Sequence, residues 1–158
     1  PWYYQQLELG YNYRLNDMEA GLGISQLQRL DSFIETRNSI AARYHEILDG
    51  LPVTFQKIPT ERYSSYHLYI IRVDSDKLVH REVFERFRVN GIGVNLHYIP
   101  VYHHPYYQQF GYKVEDFPEA EAYYREAISL PIYPDLSQEQ QDQVVRWLKE
   151  PIGHQTLF

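Results

Sequence analysis

Apolar and polar positions follow no regular period over residues 1–15, a segment with Pro, Gly and several aromatics that predicts an extended arm. Periodicity starts at Asn16. Its side chain can accept from the free N–H groups that open a helix, and Glu19 three residues on completes a capping box. Asp17 and Glu19 also set negative charge at the positive end of the helix dipole. Ala20, Ile24, Leu27, Leu30 and Ile34 then share one helical face, and Ile40, Ala41, Tyr44, Ile47 and Leu48 form a second set. Asp49-Gly50-Leu51-Pro52 supplies a C-terminal glycine and a proline that cannot continue the helix. An unbroken helix over 17–49 would be ~50 Å long at about 1.5 Å per residue. The apolar stripe changes phase between Asp31 and Glu35, which predicts a bend there. A helix of this length bridges two bodies more readily than it sits on one.

Beyond it the pattern alternates between strand and helix. Val53 to Ser64 reads as a loop, or a short strand and then a loop. Tyr66 to Val73 is aromatic and β-branched, which predicts a buried strand. Leu78 to Val89 predicts a helix with Val79, Val83 and Phe87 inside and Asn90-Gly91 as its stop. Ile92 to Tyr98 alternates: Ile92, Val94, Leu96 and Tyr98 fall on one face, and Gly93, Asn95 and His97 on the other. The aliphatic set belongs against the helices, so His97 faces away from the core. Pro105 opens a short helix that ends at Gly111. Pro118 to Ala127 predicts another helix, with Ala120, Tyr124 and Ala127 inside. Ile128 to Pro134 is extended, and its prolines confine it to an edge or a bulge. Ser137 and Gln140 form a second capping box, ahead of a helix that runs through Leu148 with Val144, Val145 and Leu148 inside. The fold class is therefore α+β: a small, mostly antiparallel sheet with helices on one face, preceded by a long connecting helix.

Composition narrows the function. The chain has 158 residues, enough for one domain that buries about two-thirds of its unfolded surface. Its net charge is −6 and no Lys/Arg run is present, so the electrostatic footprint of a nucleic-acid binder is missing. No apolar run approaches the ~20 residues of a membrane span, and no signal-peptide pattern is seen. The lack of cysteine excludes thiolate catalysis and disulfides and fits a reducing compartment, the cytoplasm. Pro1 opens the chain without an initiator Met, which fits a processed chain or a piece of a longer one. Sixteen tyrosines, against seven Phe and two Trp, favour half-buried surfaces such as interfaces and ligand clefts. Drift of composition within one lineage is the competing explanation.

Several chemistries are open to these residues. His97, His103 and His104 do not make a metal set, because adjacent histidines project apart and no i, i+4 pair or carboxylate spacing completes them. Gly21 and Gly23 lie inside a helix and not before it, so no glycine-rich phosphate loop exists, although Asn12 and Arg14 can donate to an anion. Ser64, Ser65 and His67 lack the elbow of a serine nucleophile. A histidine directly before a loop carrying Tyr102, His103, His104, Tyr106 and Tyr107 resembles the mouth of a polar ligand cleft. An ordinary surface loop is the alternative, as a packing linker is for residues 10–17.

Taken in order, Gly10-Tyr11-Asn12-Tyr13-Arg14-Leu15-Asn16-Asp17, Ala20 to Leu27, Arg37, Tyr44, Gly91-Ile92, His97-Tyr98-Ile99-Pro100, Pro105-Tyr106-Tyr107 and Ser129-Leu130-Pro131 resemble the DegT/DnrJ/EryC1/StrS family of sugar aminotransferases. Each piece is weak alone, and the combination is specific across nearly the whole chain. The resemblance implies a fold-type I, pyridoxal-phosphate-dependent homodimer with active sites at the subunit interface. It implies transfer of an amino group from an amino acid, glutamate, to a sugar nucleotide. His97 to Tyr102 and Ala127 to Pro131 are most similar to the members that act in pseudaminic acid biosynthesis, on a 4-keto-6-deoxy UDP-sugar. The chain departs from the family in one consequential way. None of Lys57, Lys77, Lys113 and Lys149 stands in the Ser-x-His-x-x-Lys context of the Schiff-base lysine, and the aspartate that pairs with the pyridine nitrogen has no counterpart. The match is therefore to the C-terminal part: residues 1–16 as the end of the large domain, an interface arm; 17–49 as the connecting helix; and 50–158 as the small domain. Such a chain should be inactive alone. By the family pattern Asn12 reaches the phosphate of the partner's cofactor, Arg14 meets a diphosphate or the glutamate carboxylate, and His97, Tyr98 and Tyr102 line the sugar-nucleotide side. A non-catalytic sugar-nucleotide-binding or dimerisation module of the same fold is the alternative.

Overall fold

The first helix begins where its capping box requires. In a computed structural model that describes residues 5, 7, 8, 10, 11 and 13–149, the Asn16 side chain accepts from the Glu19 N–H at 2.9 Å and Glu19 returns a carboxylate to the Asn16 N–H at 3.3 Å. Helix α1 (Asp17–Leu27) follows, and α2 (Leu30–Ile47) after it. The single helix expected over 17–49 is thus interrupted at Gln28 and Arg29, ahead of the bend expected between Asp31 and Glu35. The interruption is a tightened turn in which the Arg29 N–H bonds the Gln26 carbonyl three residues back, at 3.0 Å. The chain forms two compact units, Pro1–Ser32 and Phe33–Phe158, so the division falls within α2. In the first unit α1 buries no residue: Ile24 and Leu27, members of the shared apolar face, are 62% and 68% exposed. The stripe is real, but no described element of that unit covers it.

The second unit holds the core. After α2 come β1 (Val53–Phe55), β2 (Tyr69–Val73), α3 (His80–Val89), α4 (Pro105–Gln108), α5 (Pro118–Glu126), β3 (Ala127–Leu130) and α6 (Gln138–Lys149). The strands form an antiparallel sheet in the order β1-β2-β3, with Val53 opposite Val73, Tyr69 opposite Leu130 and Ile71 opposite Ile128. Tyr69, Ile71, Val73, Ile128 and Leu130 share one face. They pack with Ile40, Tyr44 and Leu48, with Val83 and Phe87 of α3, and with Val144, Val145 and Leu148 of α6. Full burial of each large apolar side chain contributes about 1.5–3 kcal/mol. Thr54, Ile70, Arg72, Ala127 and Ser129 point to the opposite face, where Arg72 pairs with Glu126 of α5 at 2.7 Å.

Polar side chains tie the loops to this core. Arg37 donates to the carbonyls of Tyr66 and Ile132 at 3.1 and 2.9 Å, with a longer 3.4 Å contact to His67. Tyr66 has a φ of +44°, so the extended run expected from Tyr66 starts as a strand only at Tyr69. Tyr44 donates to the Pro131 carbonyl, and the buried Gln141 to that of Ile40 at 3.0 Å.

Four positions expected inside lie elsewhere. Val79 is 54% exposed because it caps α3 in an extended conformation and does not follow the helix phase. Ala120 is exposed because α5 turns Glu121 and Tyr123 inward for hydrogen bonds. Tyr98 is 72% exposed and Leu96 half-buried because ladder pairing of 92–98 stops after a single bridge at Asn95.

Candidate binding site around His97

The site is built on that bridge. Asn95 and Ser129 exchange backbone hydrogen bonds of 3.3 and 2.8 Å, which extends the sheet by one residue beyond β3. Alternation then puts Asn95 and His97 on the Ser129 side of the sheet, away from the α2–α3–α6 core. His97 is half-buried, and its Nδ1 lies 2.7 Å from the Ser129 Oγ. The Asn95 Oδ1 accepts the Leu96 N–H at 2.8 Å while its Nδ2 lies 3.4 Å from the His97 Nε2. From α5, the Tyr123 hydroxyl donates to the His97 carbonyl at 3.2 Å. The ring of Tyr98 stands edge-on to His97, with centroids 4.7 Å apart. Beside Tyr123, an open groove of about 470 Å³ runs over the same sheet face, lined by Thr54, Phe55, Gln56, Ile70 and Arg72.

The following loop is fastened by one carboxylate. Glu121 of α5 accepts from the Tyr102 hydroxyl at 2.8 Å and from the His103 Nε2. The His103 hydrogen bond, and then that of Tyr102, hold the Glu121 carboxyl below its ordinary range. Desolvation first, and then the Glu121 bond, push the Tyr102 hydroxyl up to about 12. The Tyr102 ring stacks on Phe117 at 4.6 Å, and Gln108 of α4 donates to the His103 carbonyl. On the outer side Tyr106, Phe110 and Tyr112 are all more than half exposed.

Of the residues selected from the sequence, His97, Tyr98 and Tyr102 lie along one segment of this site. Tyr98 offers an exposed ring, whereas the Tyr102 hydroxyl is already engaged by Glu121. Arg14 is exposed in the first unit, and Asn12 lies outside the described residues. His97 and His103 bind different partners, Ser129 and Glu121. The Ser64 Oγ accepts the Tyr66 N–H at 3.1 Å, and among the described residues no hydrogen bond joins Ser64 to His67. Sequence reasoning missed Asn95, Glu121, Tyr123 and Ser129. The alternation did place Asn95 beside His97, and a serine between Ile128 and Leu130 marks a polar position in a buried strand.

Comparison with known proteins adds a common pattern. The model of the DegT/DnrJ/EryC1/StrS aminotransferase family matches residues 2–149. The spore coat polysaccharide biosynthesis protein SpsC of Bacillus subtilis is 37% identical over 154 residues, covering 94% of this chain and 40% of that protein. Spr1654 of Streptococcus pneumoniae, assigned as a sugar aminotransferase and solved in a PMP form, superposes with a TM-score of 0.85 at 31% identity, over 94% of this chain and 38% of that one. Its PLP form superposes at 0.84. Helicobacter pylori PseC, an aminotransferase involved in the biosynthesis of pseudoaminic acid, gives 0.76 at 29% identity, over 91% and 39%. The chain spans about 40% of the length of the curated relatives it matches.

Proposed function

Because the chain belongs to the DegT/DnrJ/EryC1/StrS aminotransferase family, we propose that it forms the connecting helix and small domain of a pyridoxal-phosphate-dependent sugar-nucleotide aminotransferase. In this reading residues 1–16 end the large domain, 17–49 connect and 50–158 make the small domain. The enzyme is a cytoplasmic homodimer that moves an amino group from glutamate to a 4-keto-6-deoxy UDP-sugar. The observation that carries the reading is the family match over residues 2–149 together with the His97 site. The likeness to PseC supports a substrate of the pseudaminic acid type.

Pyridoxal phosphate, when bound, supplies the electron sink for amino transfer. The described residues do not complete a holder for it. Lys57, Lys77, Lys113 and Lys149 are all exposed, and Lys77 is held by Asp74 at 2.8 Å. Burial is one way a lysine is activated as a nucleophile, and these four are solvated. We place the cofactor lysine in sequence other than these residues, because none of the four stands in the Ser-x-His-x-x-Lys context. What this chain contributes is positioning: Asn12 toward the cofactor phosphate of the partner subunit, Arg14 toward an anionic group, and His97, Tyr98 and the Tyr102 ring along the sugar nucleotide.

The test is expression of the complete reading frame that contains this chain. The expected product shows a cofactor absorbance band and glutamate-dependent amination of a 4-keto-6-deoxy UDP-sugar. A product that binds no pyridoxal phosphate would overturn the reading.

A further inference from the structure

The hydrogen bonds around His97 determine which of its ring nitrogens carries the proton. Asn95 sets the pattern. Its Oδ1 accepts the Leu96 N–H at 2.8 Å, and an N–H can only donate, so the orientation of the amide is fixed. The Nδ2 group, also a donor only, is thereby turned to the His97 Nε2. Two N–H groups cannot share that contact, so Nε2 presents its lone pair. The proton sits on Nδ1 and is donated to the Ser129 Oγ at 2.7 Å, inside the half-buried part of the site.

We infer that Ser129 and Asn95 are positioning residues that hold His97 as the Nδ1–H tautomer, so that its outward Nε2 takes a hydrogen-bond donor from the ligand. This deepens the sugar-nucleotide reading and rests on it for the identity of the ligand. The 3.4 Å contact from Asn95 is longer than the usual 2.7–3.2 Å, so a ligand donor replaces the Asn95 Nδ2 at the single Nε2 lone pair at little cost. A sugar hydroxyl or acetamido N–H satisfies it. An ionised phosphate, which has acceptors only, does not. The recognition element at His97 is thus for the sugar and not for the diphosphate.

Two further contacts keep the ring in place. The Tyr123 hydroxyl pins the His97 carbonyl at 3.2 Å, and the Tyr98 ring flanks the imidazole edge-on. Ser129 itself is 5% exposed and is paired through both backbone groups to Asn95, which holds its backbone beside the ring.

The test is ring 15N spectroscopy of the chain labelled at histidine, above pH 8, with the signal identified by its loss in His97→Ala. In the unsubstituted chain Nδ1 is expected to show the shift of a protonated nitrogen and Nε2 that of a bare one. Ser129→Ala should move the ring toward the Nε2–H form that unconstrained imidazole prefers, and Ser129→Thr, which keeps the hydroxyl, should restore it. Addition of UDP-N-acetylglucosamine should shift Nε2 and leave Nδ1 nearly unchanged, while inorganic phosphate should shift neither. An Nε2–H ring in the unsubstituted chain, no change in Ser129→Ala, or a response of Nε2 to phosphate but not to the UDP-sugar would each overturn the inference. The tautomer measurement needs no cofactor and no turnover. Failure of the full-length product to transaminate would therefore count against the proposed function and leave these spectra as they are.

Discussion

Arg37 shows how one side chain can determine several backbone segments at once. A single guanidinium nitrogen reaches the carbonyls of Tyr66 and Ile132, which are far apart in sequence and precede β2 and α6 respectively. Hydrogen bonds to a charged donor contribute about 1.5–3 kcal/mol. Arg37→Met keeps the stem and removes the donors, so it should lower unfolding free energy by about 2 kcal/mol in urea titration. Gln141 makes a useful contrast. Its amide is buried but donates to Ile40, whose carbonyl also receives the N–H of its own helix. Gln141→Leu should therefore cost only about 1 kcal/mol, and Gln141→Ala more, since the alanine adds a cavity.

The two capping boxes are alike in chemistry and differ in what they hold. Asn16 and Glu19 start α1, which buries nothing; Ser137 and Gln140 start α6, which buries Gln141, Val144, Val145 and Leu148. Loss of an N-cap side chain costs about 1 kcal/mol in either place. Asn16→Ala should show it as faster amide exchange confined to the first turns of α1. Ser137→Ala should show it as a lower midpoint for the unfolding of the core. Both boxes were legible in the sequence because a cap is a local arrangement of four residues. So were the strand ending at Val73, most of β3 and the core faces of α2, α3 and α6, whereas the strand expected over Ile92 to Tyr98 is reduced to a single bridge at Asn95. Val79 and Ala120 were misjudged because a helix phase extrapolates poorly to a cap, and because Tyr123 and Glu121 set the orientation of α5 through partners that spacing does not reveal. The same limit governs the site. Alternation alone turned His97 away from the core, but Ser129 lies 32 positions further along the chain and Glu121 18 positions from His103. Nothing local marks either pair.

For the molecule as a whole, tyrosine and carboxylate groups define the pH range of stability. The Glu121 carboxyl is depressed by His103 and Tyr102, so its contribution is complete above its ordinary 4.5 and is lost as pH falls through the lower folded value. Burial lowers His45, so that contribution holds above about 6.5 and fades as pH falls through its folded value. Tyr102 works in the other direction. Raised to about 12, it adds stability in full below 10 and loses it as pH rises through 12. Denaturation midpoints should thus fall at both ends of the pH scale, with Glu121→Gln flattening the acid limb and Tyr102→Phe the alkaline one. An apolar surface remains on each unit: Ile24 and Leu27 on one, and Tyr106, Phe110 and Tyr112 on the other. One feature links the pH limbs to the site. α5 passes into β3 without a loop, Glu126 closing the helix and Ala127 opening the strand. Glu121, Tyr123 and Ser129, which grip Tyr102, His103 and both ends of His97, therefore sit on one uninterrupted stretch of backbone. An insertion of one residue between Tyr123 and Glu126 would rotate Glu121 and Tyr123 by about 100° relative to Ser129. Descendants of this sequence can vary that stretch by substitution, but a change in its length breaks the register of the whole set.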